Sequence, residues 1–324
     1  MPALQSFLFG ILSLMNNDEI RLNIEEENPG KESGYAAMVR LSDADRKYAE
    51  KFSEEIDVSN TKMILQYGYQ AQKHVVDFSD RSLSDLPQHD YDEIKNDLNK
   101  MKKKIASFER EMLNLAEGGT LDDQVFASFK SAYERISSAV SETARRLEIH
   151  RSSLLRHHAR LEDHYNTCMN YIREYDMYIY AGELCLKRSR SVNLNDLLMR
   201  AKSSGLKEDV LHAQDYEQGC ARLEKKLSDL SLSRQLPFQM CTEIRMMQNT
   251  DIVFAENLRS LCVNAFPLWK SRIILSYGTG TERYFDPQIL KDSNAKLIAA
   301  CDALIKALSL NRTKRKKGSF FTDQ

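Results

Sequence analysis

The sequence predicts an all-α protein, an elongated helical bundle with long coiled-coil-like helices. Three observations predict it. Only six prolines and twelve glycines punctuate 324 residues, and few turn residues favour long helices over many short strands. Residues 121–181 contain neither glycine nor proline. As a single helix that run would reach about 90 Å, a length that calls for bundle or coiled-coil packing. Within it Leu147, Leu154, Leu161, Cys168 and Tyr175 recur every seven residues, and His150, His157, His164, Tyr171 and Tyr178 do so with an offset of three. Together the two columns describe an a/d seam, half of it polar or aromatic, which favours register over raw stability.

The elements follow in order. Residues 3–15 are largely apolar, but no Lys or Arg precedes Arg21, so a signal peptide is not expected. They are also too short to span a bilayer. A packing segment or extended arm is the preferred reading, with weak membrane contact as the alternative. The acidic stretch after it reads as a linker, giving an arm over residues 1–34. The helical domain is expected over 35–310. Ser42 caps a first helix running to about Ile56, and a second runs from about Asn60 to Ser79. A turn at Ser84–Pro87 precedes a charged helix from Tyr91 to Glu117, which Gly118 and Gly119 end. Gly182 is expected to break the long run and Gly205 to separate the helices after it. The last helix starts after Pro287 and ends near Leu310, leaving a basic tail over 311–324.

Composition narrows the function classes. A net charge of −1 gives no general pull toward nucleic acid or anionic lipid. The basic tail is read as solvated, so nucleic-acid binding is not expected. Six cysteines without a C-x-x-C pair suggest scattered reduced thiols in a cytoplasmic protein. Histidines seven apart lie about 10.5 Å apart along a helix, too far to share an ion. The i,i+4 pairs His164/Cys168 and His158/Glu162 would need a partner helix. No metal or other cofactor is called for. No nucleophile elbow, zinc-protease motif, P-loop or dinucleotide fingerprint occurs, so a non-enzymatic protein is expected.

The stretch from Arg234 to Lys270 is the candidate site. Ile244, Met247, Phe254, Leu258, Leu261 and Ala265 form one apolar stripe. The opposite face mixes Arg245, Ile252, Arg259 and Phe266 with Thr242, Asn249, Glu256 and Val263. That mixture predicts a second covered side, where Arg245, Gln248, Asn249 and Asn264 belong to a polar network. A buried amide or guanidinium without a partner costs about 1–3 kcal/mol. Arg234 and Arg245, about three turns apart, would share a face if Pro237 leaves the helix continuous. Pro267 is expected to kink or restart the helix just before Trp269.

The residues Leu232, Arg234, Gln239, Met240, Ile244-Arg245, Gln248-Asn249, Asn264 and Pro267-Leu268-Trp269-Lys270 resemble the TelA-like toxic-anion-resistance (tellurite-resistance) family. Tyr67-Gly68 with Gln72, Phe78-Ser79-Asp80, Tyr178–Glu183 and Asn294-Ala295 extend the similarity over roughly residues 57–310. The chain departs from the family pattern at Pro237, Thr242, Glu243 and Arg272. The resemblance implies a role in resistance to tellurite or envelope stress and supplies no catalytic residues. The binding residues it and the face pattern together suggest are Arg234, Gln239, Arg245, Gln248, Asn249, Asn264, Trp269 and Lys270. The expected mode is contact with a protein partner whose identity is unknown, with self-association through the long helix also open. Two alternatives stand beside it: direct anion binding or thiol-dependent tellurite reduction, and a peripheral protein at the inner face of the membrane.

Overall fold

The computed structural model describes residues 41–85, 91–117, 122–277 and 284–318, with side chains to 81 and 309 in the first and last of these stretches. All regular structure among them is helical. The helices are α1 (Asp43–Glu55), α2 (Thr61–Gln66), α3 (Tyr69–Asp85), α4 (Tyr91–Glu117) and α5 (Asp123–Arg188), followed by α6 (Leu194–Ser204), α7 (Lys207–Ser233), α8 (Gln235–Ser260), α9 (Phe266–Ser276) and α10 (Pro287–Gly318). Single π-helical turns, Ser189–Asn193 and Leu261–Ala265, lead into α6 and α9. The apolar arm, the Leu86-Pro87 end of the first turn, Gly118–Thr120 and the end of the basic tail lie outside the described residues.

Local chemistry sets these boundaries. Ser42 Oγ accepts the backbone N–H of Asp45 at 3.2 Å and caps α1. Asn60 Oδ1 accepts from Met63 N at 3.1 Å and caps α2. Gly68 separates α2 from α3, so the second expected helix is two. Its φ is +67°, and an added Cβ would lie 2.6 Å from Leu230 Cδ2. Asp286 Oδ1 accepts from Gln288 N and Ile289 N at 2.8 and 3.1 Å, with Pro287 opening α10. The α10 backbone stays helical to Gly318, past the end expected near Leu310.

Two expectations about glycine and proline had different outcomes. Gly182 does not break the long run: α5 continues through it to Arg188. The glycine serves close approach, because a Cβ there would lie 2.4 Å from Leu227 Cδ2 and 3.2 Å from Tyr67 Oη. Pro267 does restart the helix, at the head of α9. A proline cannot donate to the carbonyl four residues back, and the ladder before it slips: Phe266 N bonds Leu261 O in the π register.

The described residues group into two compact units. One takes residues within Gln88–His158 and Thr250–Gln324, the other those within Glu27–Pro87 and Ala159–Asn249. In the first, α4, α9, α10, the N-terminal part of α5 and the last turns of α8 enclose a core. It includes Leu98, Met101, Ile105, Phe129, Leu147, Leu154, Trp269, Ile273, Leu297 and Leu304. In the second, Ile64, Tyr67, Val75, Tyr175, Ile179, Leu223 and Leu230 pack together. Beside them Leu161, Cys168, Ile172, Cys241 and Ile244 make a smaller cluster. The seam column is buried throughout: Leu147, Leu154, Leu161 and Cys168 are 0% exposed and Tyr175 is 1% exposed.

Candidate functional site

In the second unit α8 lies along α5, and polar side chains bridge the two helices. Arg245 Nη1 donates to Glu162 Oε2 at 2.6 Å and Nη2 donates to Glu162 Oε1 at 3.3 Å. The same Nη1 reaches Gln248 Oε1 at 2.8 Å, and Gln248 Nε2 returns to Glu162 Oε2 at 2.8 Å. The guanidinium also sits 3.6 Å from the centroid of the Tyr165 ring, in cation–π range. Glu162 thereby holds the Arg245 cation in its charged form. Arg234, at the end of α7, donates to Asp176 through Nε at 2.5 Å and Nη2 at 3.3 Å. Burial pushes the Asp176 carboxyl up, and Arg234 pulls it back down. Pro237 falls in the first turn of α8, where it is tolerated. Arg234 stands at the junction just before that helix, so the two arginines are not on one continuous helix, yet both reach carboxylates of α5. Their partners, residues 162 and 176, stand two heptads apart on it.

The predicted polar network is therefore smaller than expected. Gln248 is buried at 2% exposure, but Asn249 and Asn264 lie on exposed surface, the latter donating to Ser260 Oγ at 3.3 Å. Gln239 is exposed too. Ile252, Arg259 and Val263 are exposed, so most of the mixed face is open and only Phe266 of its apolar groups is buried. The reason is local: Arg245 finds its partners on α5 and on its own helix, so no further cover is required.

Trp269 and Lys270 belong to the first unit, apart from this ladder. Trp269 is 2% exposed, and its Nε1 donates to Asn294 Oδ1 at 2.8 Å. Asn294 in turn donates to Glu109 Oε2 at 3.0 Å, and Phe108 meets the indole edge-on at 6.1 Å. This tryptophan anchors a core. Lys270 Nζ donates to Ser141 Oγ at 2.7 Å. The histidine column is divided. His157 is buried, its Nδ1 2.5 Å from Asp251 Oδ2, whose other oxygen accepts from Tyr91 Oη at 3.3 Å. His150 stands 3.6 Å from Asp97, and His164 packs on the Phe78 ring.

Five cysteines are buried and Cys262 is half-buried. Burial pushes Cys262 up to about 11 and Cys301 up to about 12, away from the thiolate form that reacts. Cys168 and Cys241 differ, because they hydrogen-bond each other across α5 and α8. Cys168 as donor is raised, and Cys241 is lowered by that bond and by the nearby Arg245 charge. Among the described residues no three metal-ligating side chains gather around one point, and no helix is long and apolar enough to cross a membrane.

The family model for toxic anion resistance protein (TelA) matches residues 49–289. The chain belongs to the TelA family. It is similar to the uncharacterized protein YaaN of Bacillus subtilis, at 30% identity over 81% of this chain and 74% of that protein. It is also similar to a TelA-like protein of Staphylococcus saprophyticus, at 28% identity over 81% and 71%. Among solved structures, the soluble AhlC of the tripartite α-pore-forming toxin of Aeromonas hydrophila overlays with a TM-score of 0.40. That match has 12% identity and covers 86% of this chain and all of that one.

The TelA signature residues have physical roles in this fold. Tyr67 Oη donates to Tyr178 O at 2.5 Å, while Gly68 and Gly182 admit Leu230 and Leu227 of α7. Gln72 accepts from Lys226 Nζ at 3.2 Å and donates to Ser233 Oγ at 2.8 Å. Sequence reasoning missed Asp176, Glu109 and Asp251 as partners, and named Glu162 only as an i,i+4 companion of His158. The spacing of 162 and 176 on one helix face was the available signal for two of them.

Proposed function

We propose that this TelA-family chain is a non-enzymatic resistance factor in the response to tellurite or related stress, acting through contact with another protein. The observation that carries this reading is the outer face of α8 in the second unit. Phe238 and Met246 are 47% and 58% exposed there, interleaved with Gln239, Arg245 and Asn249. Aromatic, Met and Arg side chains are the types enriched where proteins meet. Arg245 is held in place by Glu162, Gln248 and Tyr165, so it presents a preorganised surface instead of a flexible one. The same geometry disfavours direct anion binding: a carboxylate already occupies the fork of each arginine, and an oxyanion would have to displace it.

Affinity capture from cells grown with tellurite, comparing wild type with Phe238→Ser/Met246→Ser, tests the reading. Loss of a captured protein together with loss of resistance supports it. Unchanged capture and resistance in that variant, or in Arg245→Lys and Asn249→Ala, refutes it.

A second reading rests on the Cys168–Cys241 pair, a buried dithiol in which the hydrogen bond from Cys168 and the Arg245 charge lower the Cys241 thiol. It predicts that tellurite oxidises the pair to a disulfide in purified protein, two electrons per chain so that two chains are consumed per tellurite reduced to tellurium, and that Cys241→Ser abolishes this while leaving the α8 surface intact. Wild type without reducing activity removes this reading.

A further inference from the structure

The α6–α7 hairpin carries a surface that neither the family signature nor the α8 face accounts for. Its turn is well fixed. Gly205 adopts φ +66° and bonds Ala201 O at 3.1 Å, Ser204 Oγ donates to Asp209 Oδ2 at 2.5 Å, and Arg200 Nε stands 3.3 Å from Asp209 Oδ1. The polar groups of the turn are thus engaged with each other, while its large apolar side chains point outward. Leu198, Met199, Leu206, Val210 and Leu211 are 39%, 72%, 58%, 40% and 58% exposed. This concentration of exposed apolar groups at a turn runs against the usual polarity of loop tips.

The distribution says what would cover them. Leu198 and Met199 are adjacent on α6 and diverge by about 100° around the helix. Val210 and Leu211 do the same on α7, and Leu206 lies between the two helices. The apolar groups therefore surround the tip, whereas docking into a protein groove selects a single i, i+3/i+4, i+7 stripe. They lie in the last two turns of α6 and the first two turns of α7, about 10 Å of rise, while Val192 and Leu232 are exposed singly elsewhere on the two segments. Farther from the turn polar pairs join the two segments: Asn193 Nδ2 donates to Tyr216 Oη at 2.9 Å and Arg190 pairs with Glu224 at 2.6 Å. A depth of about 5–10 Å is that of elements seated in the headgroup–acyl boundary of a bilayer. With Arg200 paired to Asp209, the other charges within those turns are the exposed Lys202, Lys207 and Glu208, an excess of one cation at the end that would meet an anionic leaflet, while the exposed Asp196 and Asp215 stand at the far edge of the apolar band.

We propose that the α6–α7 tip is a membrane-interface contact that inserts shallowly into anionic lipid, beyond and separate from the α8 surface. Its test uses the full chain with vesicles of phosphatidylethanolamine and phosphatidylglycerol at 3:1. Wild type is expected to co-sediment, and Met199→Ser/Leu206→Ser/Leu211→Ser to lose at least about tenfold in apparent affinity with an unchanged helical circular-dichroism spectrum. Leu65→Ser/Leu232→Ser, which removes equally exposed apolar groups elsewhere, should bind as wild type does. In Leu206→Trp, after subtraction of the Trp269 signal measured in wild type, the new emission should shift to the blue on vesicle addition. Absence of wild-type binding, undiminished binding by the triple variant, or an unshifted Leu206→Trp emission overturns the proposal. So does a concentration-dependent dimer that the triple variant abolishes without any vesicle binding, which would assign the tip to a second copy of the chain.

Discussion

Replacing His157 by Leu should destabilise the first unit far more than its volume change suggests. The Asp251 carboxylate is 0% exposed and His157 is 2% exposed. Removing the imidazole leaves that carboxylate buried with the Tyr91 hydroxyl at 3.3 Å. A hydrogen bond to a charged group contributes about 1.5–3 kcal/mol, and breaking one side of a buried pair costs about 3–5 kcal/mol because the remaining charge is uncompensated. At about 2–4 °C per kcal/mol for a unit of this size, the thermal midpoint should fall by roughly 10 °C. The companion His157→Leu/Asp251→Leu removes charge and partner together and should return to within about 1 kcal/mol of wild type. The assay is urea unfolding followed by fluorescence of Trp269, the sole tryptophan, which lies in the same unit. A single-variant loss below about 1 kcal/mol, or a double variant no better than the single, would refute the reasoning.

Other expectations follow from the same geometry. Trp269→Phe removes the donor to a fully buried Asn294 and should cost about 1–3 kcal/mol, measured by urea unfolding with circular dichroism. The cost should be largely lost in an Asn294→Ala background. Gly68→Ala places a Cβ against Leu230 at positive φ and should lower the stability of the second unit by at least about 1 kcal/mol in the same assay. Arg173, and next Ser42, hold the Asp45 carboxyl below its ordinary value. Because the folded pKa is depressed, the stabilisation is present above the unfolded pKa and is lost as pH falls through the folded one. Urea midpoints of wild type and Asp45→Asn should therefore differ at pH 7 and converge below the usual carboxylate range. Cys301, raised to about 12 by burial, should stay unlabelled by iodoacetamide at pH 8 until the chain is unfolded, as read by mass spectrometry.

The helical class and most boundaries were legible because they rest on local signals. Ser42, Asn60, Gly205 and Pro287 each satisfy or delete particular backbone groups, and the seven-residue column from Leu147 to Tyr175 marks a buried line directly. Gly182 misled because glycine has two uses, ending a helix and admitting a neighbour. Only the position of Leu227, distant in sequence, tells which applies. Arg234 and Arg245 were recognisable as residues needing partners, but Asp176 and Glu162 could be named only once α8 was laid on α5. Asn249 and Asn264 show the converse: an amide in an apolar pattern suggests a buried network, yet both are exposed, Asn249 on α8 and Asn264 in the π-helical turn before α9.

Each unit is assembled from segments that are not consecutive, and this orders events during synthesis. The second unit has all its helices once residue 249 has been made. The first still lacks α9 and α10, which supply Trp269, Ile273, Leu290, Leu297, Leu304 and Leu308 to its core. At about 5–20 residues per second, some 3–12 s of translation separate the two points. During that interval α4 and the N-terminal part of α5 carry an apolar face whose covering helices do not yet exist. Nascent chains arrested just before Phe266, with both α9 and α10 still to be made, should be the form of this protein most prone to aggregate and most in need of a chaperone.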